Sequence, residues 1–454
     1  MAYTEMFKAA YNLQETLYAL DERKLISDED YNFWSDKADA AFGHCENADV
    51  NVNEALRIAQ ELNNNELMPK PVEGVYQLAS AADLAIFSYI VNSGNLTADA
   101  VLTNDIDMAQ LGEEINWTPI GNWQSTPNGN AGYKGHFNGQ GHSITNFNVT
   151  SNMTWYGLFG VISDNAWIEN FNIYGEITTT HQYTGSVAAF ARDKNLLIRN
   201  IHSYVNIVNS CVGGRQGGIL GGSMDGTVRI ENCTYSGTLG ASDNGGGGNY
   251  GGIVGYTNNS TNAVCTIMNC LFDGKLINTA DVPGNCTFGG MVGYTNSSLV
   301  TIQNCLSIGT VNAPRYAQFF GALNGANSKI YNSYYKGDYI NGSSSGQRAN
   351  PQDATQVTDA QLASGEVCYK LNGDQTRINW FQTLGTDAYP VLEDSHLLVI
   401  LNGNTYANED PDAVNGVTPA EQPAVNGIYT LSGQKVTSQL KKGIYIVNGK
   451  KVLK

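Results

Sequence analysis

The sequence predicts a mainly β protein: a parallel β-helix, or solenoid, preceded by a small N-terminal helical domain and followed by a short C-terminal β-hairpin tail. Two observations lead to this prediction. Only 15% of the residues are charged while 50 are glycine, a composition that suits many short strands joined by tight turns. Two short phrases also recur six times, roughly 28 to 38 residues apart, a spacing typical of solenoid repeats.

Residues 1–73 are predicted to form a helical bundle or hairpin. Apolar residues recur at helical spacing in FKAAYNLQETLYALDERKLI, and SDEDYNFWSDKADAAF and NVNEALRIAQELNNN follow as two further helical segments. The turn-rich MPKPVEG ends this region. A fourth helix, SAADLAIFSYIVNSG, starts with a capping box from Ser80 to Asp83 and stops at Gly94. We expect it to cover the first coil, because an open coil exposes a sheet edge.

Residues 74–402 are predicted to contain the β-helix, with six coils between about 131 and 345 and a cap at each end. The first repeated phrase centres on a glycine, at Gly157, Gly185, Gly218, Gly252, Gly290 and Gly321. Each copy holds about three short strand-like pieces, so one copy is interpreted as one turn of a stacked coil. A propeller of WD-type blades is the alternative, but such blades are longer and carry no ladder of identical polar residues.

The second repeated phrase is Ile-x-Asn, and its asparagine is interpreted as a structural ladder rather than as a chemical site. The six asparagines are Asn170, Asn200, Asn232, Asn269, Asn304 and Asn332. Equivalent residues of stacked coils lie about 4.8 Å apart, so identical amides can hydrogen-bond from coil to coil. Asparagine also tolerates the left-handed conformation needed at a corner. The next position is mostly small or apolar and is predicted to point inward: Phe171, Ile201, Cys233, Cys270, Cys305 and Ser333.

A third column lies two residues before the glycine and is aromatic in five of its six copies. It consists of Trp155, Tyr183, Gln216, Tyr250, Phe288 and Phe319. Residues two apart on a strand share a face, and the residues two after the glycine are apolar. The pattern therefore predicts an interior aromatic stack, and an exposed strip that stacks against sugars is the alternative.

The segment VTDAQLASGEVCYKLNG is predicted to be a helical cap at the far end of the solenoid, with a capping box between Thr358 and Gln361. Residues 403–423 are acidic and contain proline, which indicates a linker. Residues 424–454 alternate short apolar runs with SG and NG turns, which predicts two hairpins.

The formal net charge of −17 argues against nucleic acid and anionic lipid as partners, because both are polyanions. No run of about 18 apolar residues is present, and MAYTEMFKAAYNLQ does not resemble a signal peptide. The eight cysteines form no CxxC or Cys/His metal spacing, and HExxH, GxSxG and D-x-D-x-D-G are all missing. We therefore expect a monomer with no metal, no cofactor and no transmembrane segment.

Several charged side chains are candidates for catalysis, and for each we favour a structural interpretation. Asp105 and Asp107 would face one way on a strand, at a separation of roughly 7 Å that suits an acid and base pair, yet both belong to the segment that leads into the repeats. Glu169, Arg199 and Glu231 occupy one outward position of successive coils, which favours a solvated salt-bridge ladder. The remaining candidates are scattered or lie in turns: Asp164, Asp225, His136, His142, His181 and His202.

The loops between the repeats are the better candidate for a ligand site. Insertions at 240–250, 278–288 and 312–319 all precede the glycine phrase, so in a solenoid they would form a wall on one side. Arginine and tyrosine beside asparagine and aspartate suit sugar hydroxyls, whereas plain solvated loops are the alternative. The candidate ligand-binding residues are Asp243, Asn244, Asp281, Asn285, Arg315 and Tyr316.

The copies GGIVGYTNN…IMNC…DGKL and GGMVGYTNSS…IQNC…IGTV resemble GLUG-motif repeats, which occur in large bacterial surface proteins that include adhesins. Segments similar to the usual lead-in and exit of these repeats extend the resemblance over residues 74 to 393. It implies a right-handed β-helix and an extracellular location, but no single activity. GIYTLSGQKV and GIYIVNGKKVLK resemble the tail of secreted Bacteroidota proteins of the type IX sorting kind, which implies export to the cell surface.

These observations predict a secreted or cell-surface binding or adhesion module, with a polysaccharide or a host-surface glycoprotein as its partner. A polysaccharide lyase or glycoside hydrolase on the same scaffold is the alternative, and a structural spacer is the third hypothesis. No catalytic residue is assigned. A groove that holds two carboxylates, or a carboxylate with Arg, Lys or His, would favour the enzyme. An aromatic groove without titratable groups would favour binding.

Overall fold

The computed structural model describes residues 2–22, 24–65, 67, 71–112, 117–122, 132–151, 153–241, 247–258, 263–279, 286–313, 316–324, 328–337, 354–409, 428–430, 436, 444–447 and 450–453. Contacts divide the chain into two compact units, Met1–Asn408 and Glu409–Lys454. The first unit contains the N-terminal helices, the solenoid and the segment that follows it.

The described residues of the N-terminal region form three helices, α1 (Ala2–Asp21), α2 (Asp28–Asn47) and α3 (Val52–Asn63). Ser27 and Asn51 cap α2 and α3, and each side chain accepts a backbone N–H of the first turn. The helices bury a core made mainly of alanine and leucine. Phe7 and Tyr11 share the apolar spacing of α1 but are about half exposed, because α2 and α3 cover only part of the apolar surface of α1.

The leading cap of the solenoid combines short strands with one helix. Its elements are β1 (Pro71–Val72), β2 (Val75–Leu78), α4 (Ala81–Asn92), β3 (Asp99–Leu102), β4 (Ile106–Asp107), a 3₁₀ turn (Met108–Leu111), β5 (His136–Asn138) and β6 (Ser143–Ser151). The Ser80 side chain accepts the N–H of Asp83 at the start of α4. Phe87 of α4 is fully buried and contacts the rings of Tyr133 and Phe137, so this helix packs on the core that continues into the coils.

Six coils follow in the described part of the chain. Coil 1 contains β7 (Trp155–Tyr156), β8 (Phe159–Ile162) and β9 (Trp167–Thr179). Coil 2 contains β10 (Tyr183–Gly185) and β11 (Ala188–Asn209). Coil 3 contains β12 (Arg215–Gly217), β13 (Leu220–Glu231), β14 (Thr234–Tyr235) and β15 (Thr238–Ala241). Coil 4 contains β16 (Asn249–Gly251), β17 (Val254–Asn258), β18 (Val264–Met268), β19 (Leu271–Phe272) and β20 (Lys275–Asn278). Coil 5 contains β21 (Thr287–Gly289), β22 (Val292–Asn296), β23 (Leu299–Gln303), β24 (Leu306–Ser307) and β25 (Thr310–Asn312). Coil 6 contains β26 (Tyr316–Ala317), β27 (Phe320–Asn324), β28 (Lys329–Tyr331) and β29 (Ser333–Tyr335).

Equivalent strands of successive coils pair in parallel, which confirms the predicted solenoid. A buried isoleucine column runs through all six coils and consists of Ile168, Ile198, Ile230, Ile267, Ile302 and Ile330. The first strand of each coil belongs to a separate small sheet, whose order is β26-β21-β16-β12-β10-β7. A propeller would instead pair neighbouring strands of one repeat in antiparallel fashion.

Glycine is required where the small sheet closely approaches the rest of the coil. A Cβ atom added to Gly252 would lie 2.1 Å from the carbonyl oxygen of Gly290 and 2.5 Å from the ring of Phe272. At Gly221 it would lie 2.5 Å from the carbonyl oxygen of Ala189. No side chain fits at such distances, so the repeated glycine phrase is a packing requirement of the coil.

The aromatic column is only partly interior, which corrects the alignment made from the sequence. Tyr250 and Phe288 are buried, and their ring centroids lie 4.7 Å apart. Trp155 and Tyr183 pair in register with Arg215 instead, because the early repeats are offset by one residue and a one-residue shift moves a side chain to the opposite face. The column that pairs in register reads Tyr156, Thr184, Gln216, Tyr250, Phe288 and Tyr316. Phe319 is buried in the core as predicted, but at a different register position.

The repeated cysteine is a core residue. Cys233, Cys270 and Cys305 are 0% exposed, and all eight cysteines of the chain are free thiols. Burial raises the pKa of the Cys270 and Cys305 thiols, which keeps them neutral and unreactive.

The exit segment first extends the solenoid and then packs on its side. Its described elements are β30 (Ala354–Gln356), α5 (Asp359–Ala363), α6 (Glu366–Asn372), β31 (Val399–Asn402) and β32 (Thr405–Asn408). The capping box of Thr358 and Gln361 forms, and β30 pairs with β29 of coil 6. The helices pack against the flank of coils 4 to 6, on Leu271, Leu306 and Tyr334. β32 includes residues 405–408 of the predicted linker, and 410–423 lie outside the described residues.

The smaller unit contains three described strands, β33 (Ile428–Thr430), β34 (Ile444–Val447) and β35 (Lys450–Leu453). They pair as an antiparallel sheet, in which β34 lies between β33 and β35. The last two strands pair as a hairpin would, and the NG dipeptide predicted to connect them lies outside the described residues.

Candidate functional site: a groove beside the asparagine corner

The asparagines of the Ile-x-Asn phrase occupy one corner of the solenoid, one in each coil. All six have a left-handed backbone, with φ between 39° and 62°, a conformation that asparagine adopts at lower cost than most side chains. Asn200 donates its amide N–H to Asn170 at 2.7 Å, and Asn232 donates to Asn200 at 3.1 Å. Asn138 of the leading cap, which sequence reasoning did not include, extends this ladder by accepting from Asn170 at 3.1 Å.

The ladder is interrupted where the exit segment covers the corner. Asn269 and Asn304 are only 5% and 4% exposed, and within the described part of the chain the Oδ1 atoms of Asn232 and Asn269 have no hydrogen-bond partner. Trp380 donates its indole N–H to the carbonyl oxygen of Asn304 at 3.2 Å. Asn332 donates to Asn304 at 2.9 Å and to a backbone carbonyl of α6 at 2.8 Å. The corner is thus covered at coils 4 and 5, whereas the asparagines of coils 1 to 3 are half-buried and Asn332 of coil 6 is exposed.

A groove of about 850 Å³ runs along the open part of the corner. One wall is the solenoid, and the other is residues 377–395 of the exit segment, which we call the returning segment. The solenoid wall carries polar side chains from the leading cap and coils 1 to 3: Asn138, Gln140, Asn170, Asn172, Asn200, His202 and Asn232. The returning segment contributes Arg377, Ile378, Asn379, Phe381, Leu392, Glu393, Asp394 and Ser395.

An ion pair joins the two walls. Nδ1 of His202 lies 3.0 Å from Oε1 of Glu393, although the ring is not aligned for a hydrogen bond. Burial raises the pKa of Glu393, but the contact with the His202 ring outweighs burial, so the net pKa lies below its usual value. Glu393 is therefore an ionised acceptor at the side of the groove.

A second contact holds the returning segment to coil 4. The hydroxyl group of Tyr389 donates to the carboxylate of Asp273 at 2.9 Å, and the hydroxyl group of Ser236 donates to the same carboxylate at 2.5 Å. Burial raises the pKa of Asp273 despite these two hydrogen bonds. The returning segment is consequently anchored on both coil 2 and coil 4.

The groove offers many neutral polar groups and few charges. Among the residues that the structure describes, its charged side chains are Arg377, Glu393, Asp394 and, when protonated, His202. Side-chain amides both donate and accept hydrogen bonds, which matches the hydroxyl groups of a sugar. A carboxylate with a histidine in one groove also satisfies the criterion that would favour an enzyme, so the geometry by itself leaves both functions open.

Sequence reasoning placed the ligand site elsewhere, in the loops between the repeats. Asp243, Asn244, Asp281, Asn285 and Arg315 lie outside the described residues. The sixth candidate, Tyr316, begins β26, pairs in register with Phe288 and packs against the core.

The residues missed by sequence reasoning were His202 as a site residue and Glu393 as its partner. The histidine belongs to coil 2 and the glutamate to the exit segment, and only tertiary folding brings them to 3.0 Å. No motif or spacing in the sequence connects them.

Asp105 immediately precedes β4 and Asp107 ends it, and both carboxylates have structural partners. Asp105 accepts the backbone N–H of Ser143 at 2.9 Å and lies 3.2 Å from Nδ1 of His142. Asp107 accepts the Asn146 amide at 2.8 Å and a backbone N–H of the 3₁₀ turn. These hydrogen bonds stabilise the charged forms and lower the pKa of both carboxyl groups.

The predicted line of Glu169, Arg199 and Glu231 is not a solvated ladder, because Glu169 is buried and pairs with the partly exposed Arg199. Arg199 Nε lies 2.6 Å from Oε2 of Glu169, whose side chain is 3% exposed, and the guanidinium stacks on the ring of Trp167. Glu231 pairs with Arg229 of its own strand instead. The leading cap covers Glu169, because His136 lies 2.7 Å from its other oxygen.

Comparison with known proteins adds little to this geometry. No protein-family model matches the chain, and no solved structure matches it. A protein of Evansella cellulosilytica described as a Gly-rich membrane protein is 30% identical over 133 residues, which are 28% of this chain and 14% of that protein. The matched part is thus a small share of that relative.

None of the helices formed by the described residues is both long and apolar enough to cross a bilayer. Within the same residues, no three His, Cys, Asp or Glu side chains are grouped so that they could hold a metal ion.

Proposed function

We propose that this chain is a secreted or cell-surface β-helix module that binds a glycan in the groove beside the asparagine corner. The groove itself carries the proposal: its volume of about 850 Å³ is within the range of small-molecule sites, roughly 300 to 1,000 Å³. It is bounded by two parts of the fold that are anchored to each other. The resemblance of the repeats and tail to those of bacterial surface proteins supports the location.

The chemistry of the groove walls favours a hydroxyl-rich ligand. Asn172 and Gln140 supply amides that can donate to and accept from sugar hydroxyls, and Arg377 supplies a planar set of donors. Ile378 and Phe381 supply apolar contact for the faces of sugar rings. The net charge of −17 disfavours polyanionic ligands such as nucleic acid.

A glycan array, combined with a reducing-sugar assay on the same samples, tests the proposal. We expect binding to at least one polysaccharide without release of reducing ends. Asn172→Ala and Arg377→Ala should each weaken that binding by about fivefold to tenfold, the equivalent of one or two ordinary hydrogen bonds. Asn148→Ala is the matched control, because Asn148 is an exposed asparagine of β6 outside the groove lining and should leave the affinity unchanged.

A glycan lyase or hydrolase is the second candidate, and the presence of His202, Glu393 and Asp394 in one groove favours it. Glu393 is ionised, so it is suited to accept a proton rather than to act as a general acid. Product release that Glu393→Gln abolishes would establish the enzyme and contradict a pure binding role. If the wild-type chain neither binds nor cleaves any glycan, the spacer hypothesis replaces both.

A further inference from the structure

The open part of the asparagine ladder keeps unused hydrogen-bonding groups at regular intervals. A side-chain amide has two N–H donors and an oxygen with two lone pairs. The bonds between coils use one donor and one lone pair of Asn170 and of Asn200. Each of these half-buried amides lines the groove and retains one donor and one acceptor position for a ligand.

The fold sets the interval between these groups. Equivalent residues of neighbouring coils in a parallel sheet repeat at about 4.8 Å, and the amides from Asn138 to Asn232 occupy four successive levels. A second polar column runs beside the ladder, because Asn172 and His202 pair in register and both line the groove. An extended chain of β-linked pyranoses advances by nearly the same distance per sugar, and each of its hydroxyls can both donate and accept.

The exit segment limits the length of this polar track. The asparagine column continues into coils 4 to 6, but there Asn269 and Asn304 are only 5% and 4% exposed, and Trp380 donates its indole N–H to the carbonyl oxygen of Asn304. Asn232, whose Oδ1 atom ends the continuous run of ladder bonds, is the last asparagine that lines the groove.

We infer that the groove takes a linear, neutral polysaccharide in an extended conformation, aligned with the solenoid axis and with one sugar at each coil level. This inference rests on the proposed function and adds the class, direction and length of the ligand. Four open levels give about four sugar subsites. Neutrality follows from the charges of the returning segment, where Glu393 and Asp394 outnumber Arg377 and disfavour uronate chains.

Calorimetric titration of the full chain with linear β-1,4- and β-1,3-linked gluco-, manno- and xylo-oligosaccharides tests the inference. The series runs from disaccharide to octasaccharide, with oligogalacturonates and oligomannuronates as acidic comparison ligands. We expect the affinity for the preferred neutral series to rise with each added sugar up to about the tetrasaccharide and then to level off, because four levels are open.

A matched pair of variants tests the role of the ladder. Asn200→Gly removes an open amide and keeps the left-handed backbone, so it should lower the affinity for the tetrasaccharide by about fivefold, one hydrogen bond. Asn304→Gly makes the same change at the covered corner and should leave the affinity unchanged. Thermal unfolding of both variants establishes that each is folded at the titration temperature.

The outcomes separate this inference from the proposed function. If affinity does not rise beyond the disaccharide, or if both glycine variants lose affinity equally, the axial alignment is wrong while glycan binding stands. Tighter binding of the acidic oligosaccharides than of the neutral ones would contradict the inference that the ligand is neutral. If the wild-type chain binds none of the neutral or acidic oligosaccharides, the proposed glycan binding fails and this inference fails with it.

Discussion

At the residue scale, the corner asparagines satisfy two requirements at once. Their backbone is left-handed in every coil, and their amides can hydrogen-bond to the coil before and the coil after. Asn200, for example, donates to Asn170 and accepts from Asn232. Glycine would meet the first requirement without the second, and alanine would meet neither.

The order of stability of two Asn200 variants should reveal this double role. Asn200→Ala and Asn200→Gly lose the same two ladder bonds, but alanine also pays for a Cβ in the left-handed region, about 1 to 2 kcal/mol. We therefore expect the alanine variant to unfold at a lower temperature than the glycine variant, measured by circular dichroism.

The comparison at an ordinary strand position is the control. At Asn148 of β6, where φ is not positive, the glycine variant should be the less stable of the two, because glycine loses more backbone entropy on folding. An alanine variant of Asn200 that is as stable as the glycine variant would contradict the proposed backbone requirement.

At the scale of elements, the returning segment forms the site although it contains no helix or strand among its described residues. It is held by the His202–Glu393 ion pair and by the Tyr389–Asp273 hydrogen bond. Trp380 adds a bond to the solenoid corner. The returning segment is thus held to the solenoid by a few polar side-chain contacts, whereas each coil is held to its neighbours by many backbone hydrogen bonds.

Acid should loosen the returning segment through Glu393. The pKa of this carboxyl group is below its usual value of 4.5, so its contribution to stability is complete above pH 4.5 and is lost as the pH falls through the lowered folded-state value. We expect the hydrogen-exchange protection factors of residues 377–395 to fall over that acidic range.

Two variants separate this ion pair from general acid unfolding. Glu393→Gln should lower protection of the returning segment already at neutral pH and should remove the acidic step. Asp394→Asn changes the adjacent carboxylate and should retain the step. An unchanged acidic step in the Glu393→Gln variant would assign the pH dependence to another group.

At the scale of the whole molecule, the solenoid is a linear stack in which each coil is stabilised mainly by its neighbours. The exit segment is the exception, because it contacts coils 2, 4, 5 and 6. It covers apolar side chains that would otherwise face solvent, Leu271, Leu306 and Tyr334. Residues 409–454 form a separate compact unit.

Two truncations should therefore differ sharply. Removal of residues 409–454 should leave the thermal midpoint and glycan binding unchanged. Removal of residues 354–454 should lower the midpoint and cause aggregation, because it exposes the flank of coils 4 to 6 and the edge of β29. Differential scanning calorimetry with light scattering measures both, and equal midpoints would contradict this division of roles.

The sequence predicted the coil because its signals are periodic and local. The isoleucine and asparagine columns recur in every copy, so each of these positions is supported several times over. The glycine column is less regular, because Gly185 pairs with Gly217 and Gln318 lies at the position equivalent to Gly290.

The aromatic column failed at Trp155 and Tyr183 because a shift of one residue reverses the face, and the spacing between copies does not define register to one residue. The burial of Glu169 was missed because His136 contacts it from the leading cap and Arg199 contacts it from coil 2.

The sequence by itself determined the solenoid, its glycine contacts, its asparagine corner and the buried cysteine column, because each depends on contacts between equivalent positions of neighbouring repeats. Only the tertiary structure decided where the corner is open. The exit segment carries no repeat, and its path over coils 4 to 6 and back to His202 depends on non-repeating contacts of Trp380, Tyr389 and Glu393. The candidate site exists because the exit segment covers the corner at Asn269 and Asn304 and leaves it accessible from Asn138 to Asn232.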